Sequence, residues 1–161
     1  MMVVDGHASA EYDETFSPVF SPDSKRVAYA AITGKKAVVV LDGRPGRTYD
    51  GDFVEPLTFS PDGERLAYVV HNDKKDYVVV DGHPSEEYDD IRPGPTFSPN
   101  SKHVAYVATK GKTKSVVLDG QPGAEYDEIF SDCLTFYPDG ALECLAARDH
   151  ALYRVKCILA Q

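Results

Sequence analysis

The sequence contains no tryptophan and only three cysteines, and no apolar run approaches the ~18 residues that a membrane span requires. Cys133, Cys144 and Cys157 all lie in the last repeat of the chain. A disulfide framework would be spread along the whole chain, and a zinc site would need more ligands at closer spacing. We therefore interpret the cysteines as reduced, mostly buried thiols, and we expect no membrane partner.

Basic residues are in the minority, because 17 lysines and arginines stand against 26 aspartates and glutamates and leave a formal net charge of -9. An acidic chain repels phosphate backbones, so we expect no nucleic-acid partner. The opening segment, residues 1–6, has neither the basic stretch nor the long apolar stretch of a signal peptide. This absence predicts a cytoplasmic protein, although part of a longer exported chain would look the same.

The dominant feature of the sequence is an internal repeat of about 38 residues. Each copy has a Val-Asp-Gly or Leu-Asp-Gly element, then a Tyr-Asp pair, then Phe-Ser-Pro-Asp or a close variant, then an apolar strand. The first aspartates are Asp5, Asp42, Asp81 and Asp119, and the Tyr-Asp pairs begin at Tyr12, Tyr49, Tyr88 and Tyr126. Four tandem copies therefore account for nearly the whole chain.

Each copy predicts four short strands, which we name a to d in the order of one blade. Strand a ends at the Phe of Phe-Ser-Pro-Asp, because proline cannot continue a ladder and Pro-Asp-Gly is turn chemistry. Strand b covers 26–32, strand c covers the β-branched run 37–41, and strand d is the short Glu-Tyr-Asp stretch. No sustained 3.6-residue apolar period exists, so we expect about sixteen antiparallel strands and almost no helix.

Four-stranded antiparallel units of about 40 residues in tandem are the blades of an all-β propeller. The pattern Phe-Ser-Pro-Asp-Gly-x-x-x-Ala-Tyr, complete at 59–68, resembles the TolB-like β-propeller repeat, which is related in architecture to Trp-Asp-repeat propellers. The Trp-Asp dipeptide itself is missing. The resemblance implies a propeller fold and a platform for protein interactions. We predict one propeller domain over 1–161, with repeats at about 1–37, 38–76, 77–114 and 115–161.

The two ends of the chain complement each other. The amino-terminal segment supplies a strand c and a strand d (Glu11-Tyr12-Asp13), whereas the last repeat supplies a, b and c only. We expect the ends to share one blade, with Val3-Val4 as the surplus strand c. Closure can give a four-bladed ring or, in a homodimer, an eight-bladed ring, and the chain can also be a fragment of a longer propeller.

The last repeat departs from the pattern in its strand b. Its residues Glu143-Cys144-Leu145 align with Val27-Ala28-Tyr29 of the first repeat. This alignment places Cys144 with the small strand-b residues of the other repeats, Ala28, Ala67 and Ala105. We therefore predict that Cys144 is buried against a neighbouring sheet.

No catalytic constellation is apparent. The regular aspartates are interpreted as turn or capping acceptors, because a residue present in every blade serves the blade. The five histidines do not converge on an axis, and the sequence has no nucleophile elbow and no glycine-rich phosphate loop. We predict no catalytic residues, no metal and no cofactor. The alternative is a carbohydrate- or small-molecule-binding or lyase-type propeller that uses an axial pocket.

The loops that vary between copies are the candidate binding surface. Four residues after each Tyr of the Tyr-Asp pair, in the d–a loops, stand Phe16, Phe53, Arg92 and Phe130. Aromatic residues and arginine are typical interface anchors, although packing between blades near the axis also explains them. We predict a non-catalytic scaffold that presents this face to a protein or peptide partner or uses it for assembly.

The b–c loops of the same rim are basic. Their lysines are Lys35, Lys36, Lys74, Lys75, Lys110 and Lys112. One interpretation is a rim for an anionic partner, and the other is solvated lysines that guard hairpin tips against strand pairing.

Overall fold

The computed structural model describes residues 3–4, 7–8, 10–51, 53–72 and 74–158, and these residues form antiparallel strands and turns without a helix. The described part of the chain therefore has no helix long and apolar enough to cross a membrane. A two-stranded hairpin comes first, and four larger sheets follow it along the chain. The all-β prediction is confirmed, with eighteen strand segments in the described residues.

The hairpin and the first two sheets contain the first ten strands. The hairpin comprises β1 (Val3–Val4) and β2 (His7–Ala8). The first sheet comprises β3 (Glu14–Phe20), β4 (Val27–Thr33), β5 (Lys36–Leu41) and β6 (Arg44–Asp50) as strands a to d. The second comprises β7 (Phe53–Phe59), β8 (Leu66–His71), β9 (Asp76–Val80) and β10 (His83–Pro84).

The last two sheets depart from this scheme at strand a and at strand d. The third sheet has its strand a in two pieces, β11 (Asp90–Ile91) and β12 (Thr96–Phe97), followed by β13 (Val104–Lys110), β14 (Thr113–Leu118) and β15 (Gln121–Tyr126). The fourth sheet has β16 (Glu128–Phe136), β17 (Ala141–Arg148) and β18 (Ala151–Ile158), and no strand d follows within the residues described.

Consecutive sheets stack face to face and bury three apolar interfaces, which we call the first, second and third seams. Small strand-b residues allow this close approach, because Ala28, Ala67 and Ala105 have no exposed surface. The first seam joins residues such as Ala30 and Val39 to Tyr68 of the second sheet. The core is therefore a series of inter-sheet layers, as in neighbouring blades of a propeller.

The Asp-Gly elements form the c–d turns. Asp42, Asp81 and Asp119 have φ values of 51°, 51° and 49°, and the glycine that follows each also has positive φ. Two successive positive φ values define the tight hairpin turn that Asp-Gly favours. Each aspartate also accepts a hydrogen bond from the first backbone N–H of strand b, at 3.0, 3.0 and 2.9 Å. These side chains are thus turn and capping acceptors within their own sheets.

The register of the fourth sheet corrects the alignment of its strand b. Phe136 lies opposite Leu142, whereas Phe20 lies opposite Val27, because the a–b turn of the fourth sheet is one residue shorter. Glu143 therefore occupies the place of Ala28, and Cys144 occupies that of the following tyrosine. Cys144 is 3% exposed within the third seam, so its predicted burial is confirmed although its predicted equivalence to the alanines is wrong.

The ends of the chain do not close a ring in this structure. Among the residues described, β18 pairs with β17 alone, and β2 pairs with β1. The predicted strand d at Glu11-Tyr12-Asp13 is also misplaced, since the paired residues lie earlier, at His7–Ala8. Tyr12 instead packs against the face of the first sheet that carries Tyr29 and Val38.

Candidate functional site

Arginine clamps hold the first and second seams together at the rim formed by the a–b turns. Arg65 Nε lies 2.8 Å from Asp81 Oδ2, and its Nη1 donates to the carbonyl oxygens of Ser101 and Lys102 in the next sheet, at 3.1 and 2.8 Å. Its guanidinium also lies over the ring of Phe97. Arg26 makes the same contacts one sheet earlier, to Asp42, Gly63, Glu64 and Phe59. These residues support the fold.

The four predicted d–a loop residues do not form one surface. Phe16 packs against the core of the first seam, which agrees with the packing interpretation. Phe130 is 44% exposed on the outward face of the fourth sheet, and Arg92 is exposed and lies 3.2 Å from Asp90. Phe53 opens β7 opposite His71, and its side chain lies outside the described structure. A binding role for these residues stays a prediction.

The basic b–c loops are partly neutralised by nearby carboxylates. Lys36 pairs with Asp50 at 3.5 Å, Lys75 with Asp89 at 2.6 Å, and Lys110 with Glu86 at 3.4 Å. The hydrogen bond from Lys75 holds the pKa of Asp89 below its usual value, and a backbone bond from Gly111 adds to the effect. The remaining predicted lysines, Lys35, Lys74 and Lys112, are exposed.

The aspartates of the Tyr-Asp pairs stabilise the same rim. Asp13, Asp89 and Asp127 accept hydrogen bonds from the b–c turns, at Gly34 (2.7 Å), Gly111 (2.6 Å) and Asp149 (2.9 Å). Each bond joins a hairpin tip to the start of a d–a loop. Within the described residues, no three histidine, cysteine or carboxylate side chains are grouped as metal ligands would be.

The first seam contains a cleft of about 390 Å³ at its outer edge. The hydroxyl groups of Tyr49 and Tyr68 are hydrogen-bonded at 3.0 Å beneath it, and the rings of Tyr49 and Tyr77 meet edge to face at 6.0 Å. Burial raises the pKa of Tyr77, with further contributions from Tyr49, Glu87 and Asp50. The first-seam cleft is lined by Arg47, Thr48, Tyr49, Asp50, Asn72, Tyr77, Pro84, Ser85 and Glu87.

The second seam has a separate cleft of about 340 Å³. It forms where strand d of the second sheet is only two residues long. Beyond that strand, the Ser85 hydroxyl accepts a hydrogen bond from the backbone N–H of Val78 in strand c, at 3.0 Å. Arg65, His83 and Tyr106 contribute to its walls. Each of the two clefts is lined by two adjacent sheets.

The third seam is filled by an arginine at the position where the first has its cleft. The rings of Tyr126 and Tyr153 lie 6.1 Å apart, and the Arg148 guanidinium carbon lies 5.5 and 5.4 Å from their centroids. These distances are within the range of favourable cation–π contacts. Arg148 belongs to the fourth sheet and Tyr126 to the third, so this contact ties the two sheets together.

The outward face of the fourth sheet is charged. Glu143 is only 8% exposed, and it is bound by Arg154 at 2.7 Å and Lys156 at 3.4 Å. The hydrogen bond from Arg154 is the main reason that the pKa of Glu143 is lowered. These three residues occupy the places that Ala28, Val39 and Leu41 hold in the first sheet.

Sequence reasoning missed the seam tyrosines and this charged cluster. Tyr77 and Tyr153 stand in strand c at the place that valine (Val38) holds in the first repeat. Aligning strand c in all copies would have exposed both substitutions. The Glu143–Arg154 pair was hidden by the one-residue shift in the fourth repeat.

No family model matches the chain, and no curated protein matches it. Its fold is similar to that of solved structures, among them a β-propeller domain. The β-propeller domain of the Trilobed protease from Pyrococcus furiosus, described as having an open velcro topology, aligns with a TM-score of 0.52 at 13% identity over 89% of this chain and 57% of that one. A eukaryotic initiation factor aligns with a TM-score of 0.52 at 14% identity, over 95% of this chain and 44% of that one.

At these identities the likeness concerns the fold alone, and the match to the propeller domain assigns the stacked sheets to the β-propeller architecture. The chain spans about half the length of these two solved structures.

Proposed function

We propose that this chain is a non-catalytic propeller scaffold that binds protein or peptide partners and completes its ring with a second copy of itself. One observation carries the assembly part. Among the described residues, the fourth sheet has strands a, b and c without a d, while the amino-terminal hairpin has strands c and d without an a or b. The TolB-like character of the repeat is part of the same proposal and is supported by the motif at 59–68.

The register of the hairpin supports its role as a strand d. Val4 lies opposite His7, as Leu41 lies opposite Arg44 and Val80 opposite His83 at the other c–d turns. Tyr12 then packs on the first sheet, as Tyr49 packs on the second. The hairpin thus has the features of a strand d from a preceding blade, with β1 as a short substitute for strand c. In the proposed dimer, β18 of the second copy replaces β1 beside β2.

A second copy fits better than closure within one chain. Four sheets leave the ring open here, and two copies would supply eight, within the range of about four to eight blades seen in propellers. The chain also covers only 57% of the solved propeller domain to which it is similar. The outward face of the fourth sheet, where Leu152 is 66% exposed beside Arg154, would be covered where the two copies meet.

Molar mass in solution, measured by light scattering across a concentration series, tests the assembly. We expect twice the mass of one chain, and we expect loss of the dimer when residues up to Asp13 are deleted. Lys112→Ser, on an exposed hairpin tip, is the matched control and should leave the mass unchanged. A full-length chain that stays at the mass of one copy at every concentration would contradict the dimer and would favour closure by other means.

A further inference from the structure

We propose that the first-seam cleft binds the guanidinium group of an arginine side chain presented by a partner peptide or protein. The third seam supplies the precedent within the same chain. There, Arg148 lies 5.5 Å from the ring centroid of Tyr126 and 5.4 Å from that of Tyr153. A guanidinium is attracted to an aromatic face within about 6 Å, so the paired rings form a receptor for this group.

The first seam has the same two rings without the arginine. Tyr49 is the repeat equivalent of Tyr126. Tyr77 lies opposite Val70 in the second sheet, as Tyr153 lies opposite Ala146 in the fourth, so these two tyrosines are also equivalent. The two pairs have nearly the same geometry, with centroids 6.0 Å apart at 60° in the first seam and 6.1 Å apart at 53° in the third.

The residue two positions after Ala146 or Val70, the strand-b residues opposite these tyrosines, decides whether a guanidinium of the chain covers the two rings. In the third seam this residue is Arg148, and in the first it is Asn72, which is too short to cover both rings. Asn72 instead accepts hydrogen bonds from the backbone N–H groups of Lys74 and Lys75 within its own turn. A cleft of about 390 Å³ lies beside the first pair, within the size range of small ligand sites.

The charges around the first-seam cleft favour a planar cation. Asp50 and Glu87 line it together with Arg47, and because Asp50 already pairs with Lys36 at 3.5 Å, Glu87 is the lining carboxylate that has no ion pair among the described residues. Both carboxylates act on Tyr77, since each contributes to its raised pKa. An arginine side chain stacks on aromatic faces and offers a fork of donors that matches carboxylates. A lysine ammonium is a compact, strongly hydrated point charge and lacks this planar fit.

The second seam provides a negative control inside the molecule. Its strand c has Ser115 where the first seam has Tyr77, so the second ring is missing. At the place of Asn72 stands Lys110, which pairs with Glu86. Among the described residues, the first seam is thus the one of the three that has both rings and no guanidinium of the chain stacked on them, since Arg47 lines the cleft without lying over either ring.

Titration with a blocked peptide, acetyl-Gly-Arg-Gly-amide, tests the site by nuclear magnetic resonance of the labelled tyrosine rings. We expect saturable shifts of the Tyr49 and Tyr77 signals, with binding at least about threefold weaker for the lysine peptide and absent for the neutral citrulline peptide. Tyr77→Val introduces the residue found at this place in the first sheet and should weaken binding at least about threefold. Asn72→Arg should fill the cleft from within and abolish binding.

Ser115→Ala is the matched variant in the second seam and should bind the arginine peptide like the parent chain, while melting curves check that every variant folds. Absence of saturable binding to the parent chain, equal binding of the citrulline peptide, or unchanged binding by Asn72→Arg would overturn the proposal. The inference rests on the partner-binding role proposed above, but its test is separable from assembly. A single-copy chain that binds the peptide contradicts the dimer alone, and a dimer that ignores it contradicts the cleft alone.

Discussion

Arg148 of the fourth sheet lies over the ring of Tyr126 in the third, with its guanidinium carbon 5.5 Å from the ring centroid. The same group also covers Tyr153 of its own sheet at 5.4 Å. One side chain therefore links strand d of the third sheet to strand c of the fourth across the third seam. The three seams differ in what supplies this link, and the differences lead to specific predictions.

Replacing Arg148 by asparagine, the residue found at this place in the second sheet, should destabilise the chain. The variant loses two cation–π contacts, each worth about 0.5–1 kcal/mol at exposed sites, so we expect a loss of about 1 kcal/mol. Urea unfolding followed by circular dichroism measures it. Lys112→Asn, on the tip of another hairpin, is the control and should stay within about 0.5 kcal/mol of the parent. Equal stability of the two variants would contradict the linking role.

Arg65→Lys should weaken the second seam although it keeps the charge. The lysine cannot hold Asp81, the two carbonyl oxygens of the third sheet and the face of Phe97 at the same time. Loss of these charge-assisted bonds predicts a destabilisation of about 1–3 kcal/mol. Thermal unfolding provides the measurement, with Arg44→Lys at an exposed position of the first sheet as its control. A melting temperature equal to that of the control would show that the clamp is dispensable.

Cys144 should react slowly with a thiol reagent in the native state, because it is 3% exposed within the third seam. A variant with serine at Cys133 and Cys157 isolates its signal. We expect labelling at least about tenfold faster in denaturant than in buffer, since a buried structural thiol is inert. Equal rates under the two conditions would refute the burial of this side chain.

Stability should fall in acid partly through Glu143. Arg154 lowers the pKa of this carboxyl below its ordinary value of 4.5, so the folded state holds the proton less tightly than the unfolded state. The stabilisation is therefore present above pH 4.5 and disappears as the pH falls through the lowered folded-state pKa. Glu143→Gln should show a shallower loss of stability below pH 4.5 in urea titrations. Parallel pH profiles of the two proteins would exclude this contribution.

The repeated turn residues made the sheet architecture predictable. Asp-Gly at the c–d turns and Pro-Asp at the a–b turns fix the ends of the strands through local backbone preferences, which each copy repeats. The prediction failed where tertiary context decides. The a–b turn of the fourth sheet has lost one residue, so Glu143, rather than Cys144, took the alanine position. Strand d also varies with its neighbours, from two residues in the second sheet to seven in the first.

The candidate site was less predictable than the fold. The d–a loop residues share a position in the sequence, but Phe16 lies within a seam and Phe130 lies on an outward face. The first-seam cleft depends instead on Tyr49 and Tyr77, which come from different sheets and meet only after stacking. The cleft is open because position 72 is asparagine, whereas the equivalent residue of the fourth sheet is Arg148. This difference becomes informative only when the first seam is compared with the third.

The arginine contacts of the first and second seams lie at the a–b turns, whereas that of the third seam lies at the opposite rim. Arg26 and Arg65 reach the a–b turns of the next sheet, whereas His103, at the equivalent place in the third sheet, bonds to Asp119 of its own sheet at 2.6 Å. The link of the fourth sheet is instead Arg148, at the b–c turn. Because, among the described residues, no arginine of the third sheet reaches the a–b turn of the fourth, we expect the third seam to open at this rim more readily than the first two seams do. Backbone amide exchange that is faster along 136–142, the a–b turn of the fourth sheet, than along 97–104, the turn held by Arg65, would reveal this movement.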